Sequence, residues 1–292
     1  MFYEKKVDST KKNIVLASIG RNVGQTFDLD FARITSAFSD FNVLKWIIVE
    51  SNSTDNSIEV LINHSKQHDC LQIETLKNTG SSSEFRTEKL ARARNKYIDV
   101  FNEIREKSNV HYLVVCDLNN LNKEINIDSV RSCFQSESVW AAQTANQNGP
   151  YYDIWALRHK YWNDYDCWER YEVLKEIYTN STLALWDSVY SRMINIPKTS
   201  PWIKVDSAFG GIAIYDSTYL SGCRYIGVST TGKQVCEHIS FNESILKNGG
   251  SIFINPSFIN FKLTDHSRRK KYFKYYNLKY RIARLLRVKS KN

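Results

Sequence analysis

The sequence predicts an α/β fold: a mainly parallel central sheet flanked by helices, followed by a basic helical tail. Three observations predict it. Between Asn13 and Cys116, apolar runs of strand length alternate with segments of helical period, an order that demands crossover helices and so parallel strands covered on both faces. Each apolar run halts at a polar cluster, which is where open sheets of this kind hold ligands. No Pro- or Gly-rich linker and no internal repeat divides the 292 residues.

The elements follow in order. NIVLASI (Asn13–Ile19) is a strand that stops at Gly20-Arg21-Asn22. QTFDLDFARITSAFSDF carries Phe27, Phe31, Ile34 and Phe38 at helical spacing. VLKWIIV (Val43–Val49) is a second strand, ended by ESNSTDNS, whose Asp-Asn-Ser cluster caps the helix SIEVLINHSKQ. LQIETL is a third strand. NTGSSSE is a loop into the long helix EFRTEKLARARNKYIDVFNEIREK, and HYLVVC is a fourth strand. Beyond Asp128, SVWAAQTAN and YYDIWALR read as strands and WERYEVLKEIY as a helix. WIKVDSAFGGIAIYD reads as two strands around Phe209-Gly210-Gly211, HISFNESILKNGG as a helix with a Gly terminator, and SIFINPSF as a last strand.

Composition narrows the class. No apolar run approaches the 18 residues of a membrane span, and the first residues lack a secretory apolar core, so a cytosolic protein is expected. Six scattered cysteines without a CxxC pair exclude a zinc ribbon or a small disulfide framework, and are expected reduced and mostly buried. The net charge of +9 resides in one place: His266 to Asn292 holds eleven Lys or Arg and no acid, whereas basic and acidic residues nearly balance in the rest.

Two stretches carry chemistry. IIVESNSTDNS sets Glu50, Asn52, Ser53 and Asp55 after a strand, a hydrogen-bonding set suited to a base and ribose, or else a polar turn and helix cap. VVCDLNN delivers Asp117 and, two residues on, Asn119 to the end of another strand. Hard cations such as Mg²⁺ and Mn²⁺ take oxygen ligands of this kind together with phosphate oxygens; an Asx-turn ending the strand is the alternative.

Together and in this order, these stretches resemble the GT-A glycosyltransferases, Rossmann-like family 2-type enzymes that use nucleotide-sugars. VESNSTDNS looks like the family's acid-x-x-Ser-Thr-Asp-x-Ser loop, ARARNKYID like its Ala-Arg-Asn helix, and VVCDLNN sits where its Asp-x-Asp metal motif belongs. YYDIWALR, VDSAFGGIAIYD and CEHISFN look like the acceptor half of Cap59-like and Anp1-like mannosyltransferases. The resemblance runs from about Asn13 to Phe258. It implies a transferase domain over 1–264, with a nucleotide-sugar half (about 13–127) and an acceptor half (128–264), and a separate tail over 265–292.

The resemblance also implies roles. Asn22, Glu50, Asn52, Ser53 and Asp55 would hold the nucleotide. Arg86, Arg92 or Arg94 would pair with the diphosphate, and spacing of two puts Arg92 and Arg94 on different helix faces. Asp117 and Asn119, with His238 as a further ligand, would hold Mn²⁺ or Mg²⁺. Asn119 departs from the family's second acid. In CEHISFN, Glu237 would be the base of an inverting enzyme; alternatively the reaction is retaining and the departing phosphate takes the acceptor's proton, as the Cap59-like and Anp1-like relatives imply. Asp153, Trp155, Arg158, Asp206, Gly210 and Gly211 would meet sugar or acceptor, with Asp153 and Trp155 sharing one face of a strand.

In the tail, Tyr275, Leu278, Ile282 and Leu285 form an apolar stripe flanked by Lys274, Arg281, Arg284 and Arg287. A basic amphipathic helix reads as an element that lies on an anionic membrane surface; RNA binding and packing on the body are the alternatives. The expectation is a peripheral enzyme on the cytoplasmic face of the membrane, moving sugar to a glycan or lipid-linked acceptor in surface polysaccharide synthesis, with no nucleic-acid partner. A sugar nucleotidyltransferase of related build and a non-catalytic nucleic-acid-binding protein are the rival classes.

Overall fold

The computed structural model describes residues 12–76, 84–136, 138–178, 180–263 and Ser267. The Ser-rich loop expected over residues 78–83 and, Ser267 apart, the basic tail lie outside them.

The first half follows the predicted alternation: β1 (Asn13–Gly20), α1 (Phe27–Ala37), β2 (Asn42–Ser51), α2 (Ser57–Gln67), β3 (Leu71–Leu76), α3 (Arg86–Lys107) and β4 (Tyr112–Cys116). A short helix α4 (Ile127–Arg131) leads to β5 (Ala142–Gln147), α5 (Cys167–Ile177), α6 (Ser181–Ser188), β6 (Ile203–Val205), β7 (Ile212–Asp216), α7 (Glu237–Lys247) and β8 (Ile252–Phe261). All eight strands join one sheet in the order β3-β2-β1-β4-β7-β5-β8-β6. β1 to β4 are mutually parallel, and β7 runs against both β4 and β5, so β5 and its parallel partner β8 share the direction of the first four. β6 opposes β8 at the edge. The sheet is therefore mainly parallel, with two reversed strands.

Central strands are buried on both faces because alternate side chains enter two cores. Val15, Ala17, Ile47, Val49, Leu113 and Val115 meet Ala91, Tyr97, Ile98 and Phe101 of α3 and Phe241 and Ile245 of α7. Ile14, Leu16, Trp46, Ile48, Val114 and Cys116 meet Phe27 and Ile34 of α1 and Leu61 of α2. Fully burying such a side chain contributes about 1.5–3 kcal/mol. All six cysteines are unbridged and five are buried. Among the described residues, no helix is long and apolar enough to cross a membrane.

The second half corrects several expectations. YYDIWALR is not a strand: residues 151–158 form turns and irregular backbone, with an isolated bridge from Arg158 to Ser207. The reason is Asn163, whose Nδ2 donates to the carbonyls of Ile154, Leu157 and Tyr165 and so takes the place of a ladder. β8 runs on to Phe261 through Pro256. The ladder with β5 shifts register there, so the missing N–H falls at an irregularity, and Asn146 Nδ2 separately satisfies the Pro256 carbonyl (3.0 Å). Helices α4 and α6 were not expected. Asn126 and Asn180 start them, Asn126 through a capping box with Ser129.

Candidate active site

At the carboxyl edge of the sheet, β4 ends in a loop that the rest of the fold over-determines. The Asp117 N–H donates to the Gly211 carbonyl (2.9 Å), and Asn122 Nδ2 donates to the Asp117 carbonyl (2.6 Å). Leu118 is buried, while Asn119 and Asn120 both take left-handed backbone, with φ of 67° and 61°. Asn tolerates that region better than most residues, yet two in succession persist only where surroundings hold them. The holder is α1. Both oxygens of the buried Asp30 accept the Asn120 N–H (2.9 and 3.1 Å), and Arg33 donates to Asn120 Oδ1. Burial pushes the Asp30 carboxyl above its ordinary range, against the pull of the Asn120 N–H. The three asparagines after Asp117 are thus one device: Asn120 fixes the turn, Asn122 fixes the Asp117 peptide, and Asn119 is left exposed with Nδ2 on the Arg21 carbonyl (3.4 Å).

Arg94 is the centre of charge. Of the three candidate arginines it is the one that points into the site, and the spacing allowed only one of Arg92 and Arg94 to do so; Arg92 pairs with Glu84, and Arg86 is exposed with its charge still acting on Asp117. Arg94 Nε donates to Glu237 Oε1 (3.0 Å), Nη2 to Asp117 Oδ1 (3.3 Å) and Nη1 to the Tyr97 hydroxyl (3.3 Å). Its guanidinium lies 5.3 Å from the centre of the Phe209 ring and 5.7 Å from that of Tyr225. Arg94 and Glu237 are 4% and 6% exposed at the side chain and Asp117 is 23%, so only Asp117 faces outward. Burial pushes the Asp117 carboxyl up, opposed by Arg94.

His238 stacks on Phe209 with ring centres 3.9 Å apart and meets the Tyr225 ring edge-on. Its Nε2 lies 3.8 Å from Glu237 Oε1 and its Nδ1 is buried without a partner. Burial, with the Arg94 charge, holds the imidazole well below its usual range, so it is neutral at pH 7. Among the described residues no three His, Cys, Asp or Glu converge as a metal cluster.

Asp153 and Gly210 are joined: Asp153 Oδ2 accepts the Gly210 N–H (2.9 Å), and the next carbonyl, Gly211, accepts Asp117. Both glycines have positive φ (74° and 92°), and a Cβ on Gly210 would stand 2.6 Å from the Ala145 carbonyl oxygen, so neither position admits a side chain without strain. The shared strand face expected of Asp153 and Trp155 does not form. Trp155 Nε1 donates to Asp166 (2.8 Å) and Arg158 pairs with the same carboxylate (3.3 Å), a hub that also caps α5. Asp206 is exposed beyond β6, its N–H on the Arg158 carbonyl.

Burial, reinforced by the negative charges of Asp117 and Glu237, pushes the Asp153 carboxyl up to about 6. A carboxyl raised in the folded state binds its proton more tightly there than in the unfolded chain. Its charge therefore costs nothing below the ordinary value near 3.8 and costs most above 6. Asp153→Asn is expected to raise the melting temperature at pH 8, by the equivalent of up to about 3 kcal/mol, and to change little at pH 4. Equal shifts at both pH values would show that the carboxyl is not perturbed.

The loops after β1 and β2 are sewn to each other. The Asn22 N–H donates to Ser53 Oγ (3.0 Å), Thr54 N–H to Asn22 Oδ1 (2.8 Å), and Gly24 N–H to Asp55 Oδ2 (3.3 Å). Asp55 also accepts the Ser57 N–H at the start of α2 (3.0 Å). Glu50, expected to hold the nucleotide, is 1% exposed and accepts the Ser53 N–H (2.7 Å), so it braces the loop from within. Asn22 and Asn52 both sit at φ 54° and reach the surface. Sequence reading missed Asp30, Arg33, Asn120 and Phe209. The consecutive asparagines were the available signal for a left-handed turn.

No family model and no curated protein matches the chain. Among solved structures, a mannosyltransferase from Pyrobaculum calidifontis in complex with GDP-Man and Mn²⁺ is similar with a TM-score of 0.46 at 11% identity, over 85% of this chain and 56% of that one. TarS 1-349 of S. aureus is similar with a TM-score of 0.42 at 11% identity, over 86% and 60%. The same protein in complex with UDP-GlcNAc gives 0.45 at 11%, over 88% and 60%. The chain spans less than two thirds of the length of these solved chains.

Proposed function

We propose that the protein is a GT-A-like glycosyltransferase that moves a sugar from a nucleotide-sugar to a glycan or lipid-linked acceptor, with retention, in cell-surface polysaccharide synthesis. The observation that carries the reading is Asp117: a carboxylate at the carboxyl edge of a mainly parallel sheet, backed by a buried arginine and presented by a loop that α1 and the Gly211 backbone hold.

The donor chemistry fits a hard cation. Asp117 Oδ1 takes Arg94 and Asn119 Nδ2 gives to Arg21, which leaves Asp117 Oδ2 and Asn119 Oδ1 without hydrogen bonds among the described residues. One charged and one neutral oxygen suit Mg²⁺ or Mn²⁺ whose other ligands are diphosphate oxygens and water. When bound, such an ion supplies charge stabilisation for the departing diphosphate. His238 supports this edge through its stack on Phe209, and its contacts run to Glu237, Phe209 and Tyr225 rather than to Asn119.

The chain's own residues do the rest. Asn22, Asn52, Ser53 and Asp55 border the crevice where the nucleotide would lie. Arg86, exposed at the start of α3, pairs with the diphosphate, while Arg94 holds Asp117 in place from behind. Glu237 is sealed against Arg94 and is not free to take a proton. That favours retention: the bond from the sugar's anomeric carbon to the phosphate oxygen breaks, the bond to the acceptor oxygen forms on the same face, and the departing phosphate accepts the hydroxyl proton.

Thermal shift with a set of nucleotide-sugars, with and without Mn²⁺, is expected to give stabilisation by one of them. NMR of the product is expected to show the donor's anomeric configuration preserved. Release of pyrophosphate would instead make the protein a nucleotidyltransferase, and an inverted product would return Glu237 to the role of base.

Attachment to the cytoplasmic leaflet through the basic tail belongs to the same proposal and rests on the sequence. Each Lys or Arg near an anionic surface contributes about 1 kcal/mol. Deleting Arg268 to Asn292 should abolish flotation with anionic vesicles and leave turnover on a short soluble acceptor intact. Unchanged flotation with a clear loss of melting temperature would instead place the tail's stripe on the body.

A further inference from the structure

Beneath the site, the segments that carry Asp117 and Asp153 are joined by three buried amides: Asn122, Gln147 at the end of β5, and Asn260 near the end of β8. Asn260 Nδ2 donates to Asn122 Oδ1 (2.9 Å) and to the Gly210 carbonyl (2.8 Å), and Asn260 Oδ1 accepts from Gln147 Nε2 (3.4 Å). Gln147 Nε2 also reaches the Gly210 carbonyl (3.2 Å), and Gln147 Oε1 accepts the Tyr152 N–H (3.3 Å). With Asn122 Nδ2 on the Asp117 carbonyl, every side-chain nitrogen and oxygen of the three amides has a partner.

These bonds close a ring. It runs from the Asp117 carbonyl through Asn122 and Asn260 to the Gly210 carbonyl, along the chain to Gly211, and from the Gly211 carbonyl back to the Asp117 N–H. Asp153 is attached to the ring at the Gly210 N–H, and the Tyr152 N–H is attached through Gln147. The ring spans the ends of β4, β5 and β8 and the start of β7, which pair side by side.

The orientation of each amide is forced. Each meets a main-chain group that can only accept or only donate: the Asp117 carbonyl, the Gly210 carbonyl or the Tyr152 N–H. Amides do not titrate, so the frame is independent of pH. Space filling alone does not explain them. Their β8 neighbours Phe258, Ile259 and Phe261 are apolar, and the chain gives up side chains at 210 and 211 to admit them. A Cβ on Gly210 would stand 3.2 Å from Gln147 Nε2, and one on Gly211 3.1 Å from Asn260 Nδ2. A fully satisfied buried network specifies one arrangement of the groups it joins.

We propose that Asn260 is a positioning residue that sets the spacing between Asp117 and Asp153, with Asn122 and Gln147 as its two arms. That this spacing aligns donor and acceptor rests on the transferase reading, in which Asp117 serves the donor and the half-buried Asp153 meets the acceptor.

Asn260→Leu removes both donated bonds at similar volume. Asn255→Leu is the control: the same strand, equally buried, its amide bonded to Ser132 and Cys133 instead. Amide hydrogen exchange is read in the isotope-labelled full chain, relative to β1 amides of the same sample. In Asn260→Leu, exchange at Asp117, Tyr152 and Gly210 is expected to quicken together by at least about tenfold, and in Asn255→Leu to stay within about twofold. Exchange that quickens at Gly210 alone, or equally in both variants, would overturn the proposal. Should Asn260→Leu not fold, Gln147→Met cuts one arm while Asn260 keeps its own two donated bonds. It is expected to quicken Tyr152 and Gly210 and spare Asp117, and unchanged exchange at Tyr152 would overturn the proposal. With a nucleotide-sugar that turns over, Asn260→Leu is expected to lower kcat at least about tenfold, with the donor KM and the Mn²⁺ affinity within about threefold, since small misplacements of reacting groups act on kcat. Asn255→Leu should keep the parent's kcat. Equal kcat in both variants would remove Asn260 from the reaction and leave the transferase standing. Coupled exchange in a chain that turns over no nucleotide-sugar would keep the frame and defeat the transferase reading.

Discussion

Arg94→Met is expected to cost about 3–5 kcal/mol of unfolding free energy at pH 7, the usual penalty when one partner of a buried charge pair is removed. The cause is specific. Methionine fills much of the space against Phe209 and Tyr225 but leaves Glu237 buried and Asp117 half-buried, two negative charges with no cation between them. Asp117, whose carboxyl burial already pushes up against the pull of Arg94, would then titrate higher still in the folded chain. The penalty is therefore present above that value and fades as protonation removes the charge. Denaturation at pH 7 and pH 4.5 should show the smaller deficit at pH 4.5. A deficit below 1 kcal/mol, or the same at both pH values, would assign Arg94 a packing role only. Adding Glu237→Met to Arg94→Met should restore a large part of the lost stability without restoring turnover, because the buried pair is then replaced by apolar contacts while Asp117 still lacks its backing charge.

The first half of the fold was open to sequence reading because its signals are local. Val15 and Ala17 against Ile14 and Leu16 alternate with period two, and Phe27 and Ile34 repeat at helical spacing, so both faces of the sheet were foreseeable. The divergence of Arg92 and Arg94 was foreseeable too, since helix geometry alone separates them. What the geometry could not say was which one turns inward. That depends on Glu237, 143 residues away. YYDIWALR misled for the opposite reason. Its aromatic and β-branched residues suit a strand, but Asn163 occupies its backbone carbonyls and the segment coils into turns. Glu50 looked like a ligand because it follows a strand; its carboxylate instead folds back on Ser53, a contact that only the turn at Asn52 permits. Asp30 carried no motif at all. Its role appears only when α1 is laid beneath the β4 loop and both its oxygens meet one amide.

Asp117→Asn should cut transfer at least about a hundredfold, on the scale of deleting one key electrostatic group at a reacting centre, and should leave the protein as stable as before or more so. The two halves of that expectation have one origin. Burial pushes the Asp117 carboxyl above its ordinary range despite Arg94, so its negative charge is a burden on the folded state at neutral pH. Arg94 keeps its bond to Glu237 when that charge is gone, and the remaining pair is neutral. The asparagine keeps the main-chain bonds to Gly211 and Asn122, so the loop geometry survives. Only the outward-facing charge is lost. A residue conserving stability would be expected to do the reverse, lowering the melting temperature when changed and sparing turnover. The decisive comparison is a melting temperature and a turnover number on the same sample, with Mn²⁺ titrated into both proteins. A folded Asp117→Asn variant with turnover near that of the parent would remove Asp117 from the reaction. A variant that lost both turnover and several degrees of stability would make it a structural partner of Arg94 instead. Retained stability, lost turnover and weakened Mn²⁺ affinity together would tie the charge to a metal-held donor, because the substitution removes that charge and leaves the loop's main-chain bonds in place.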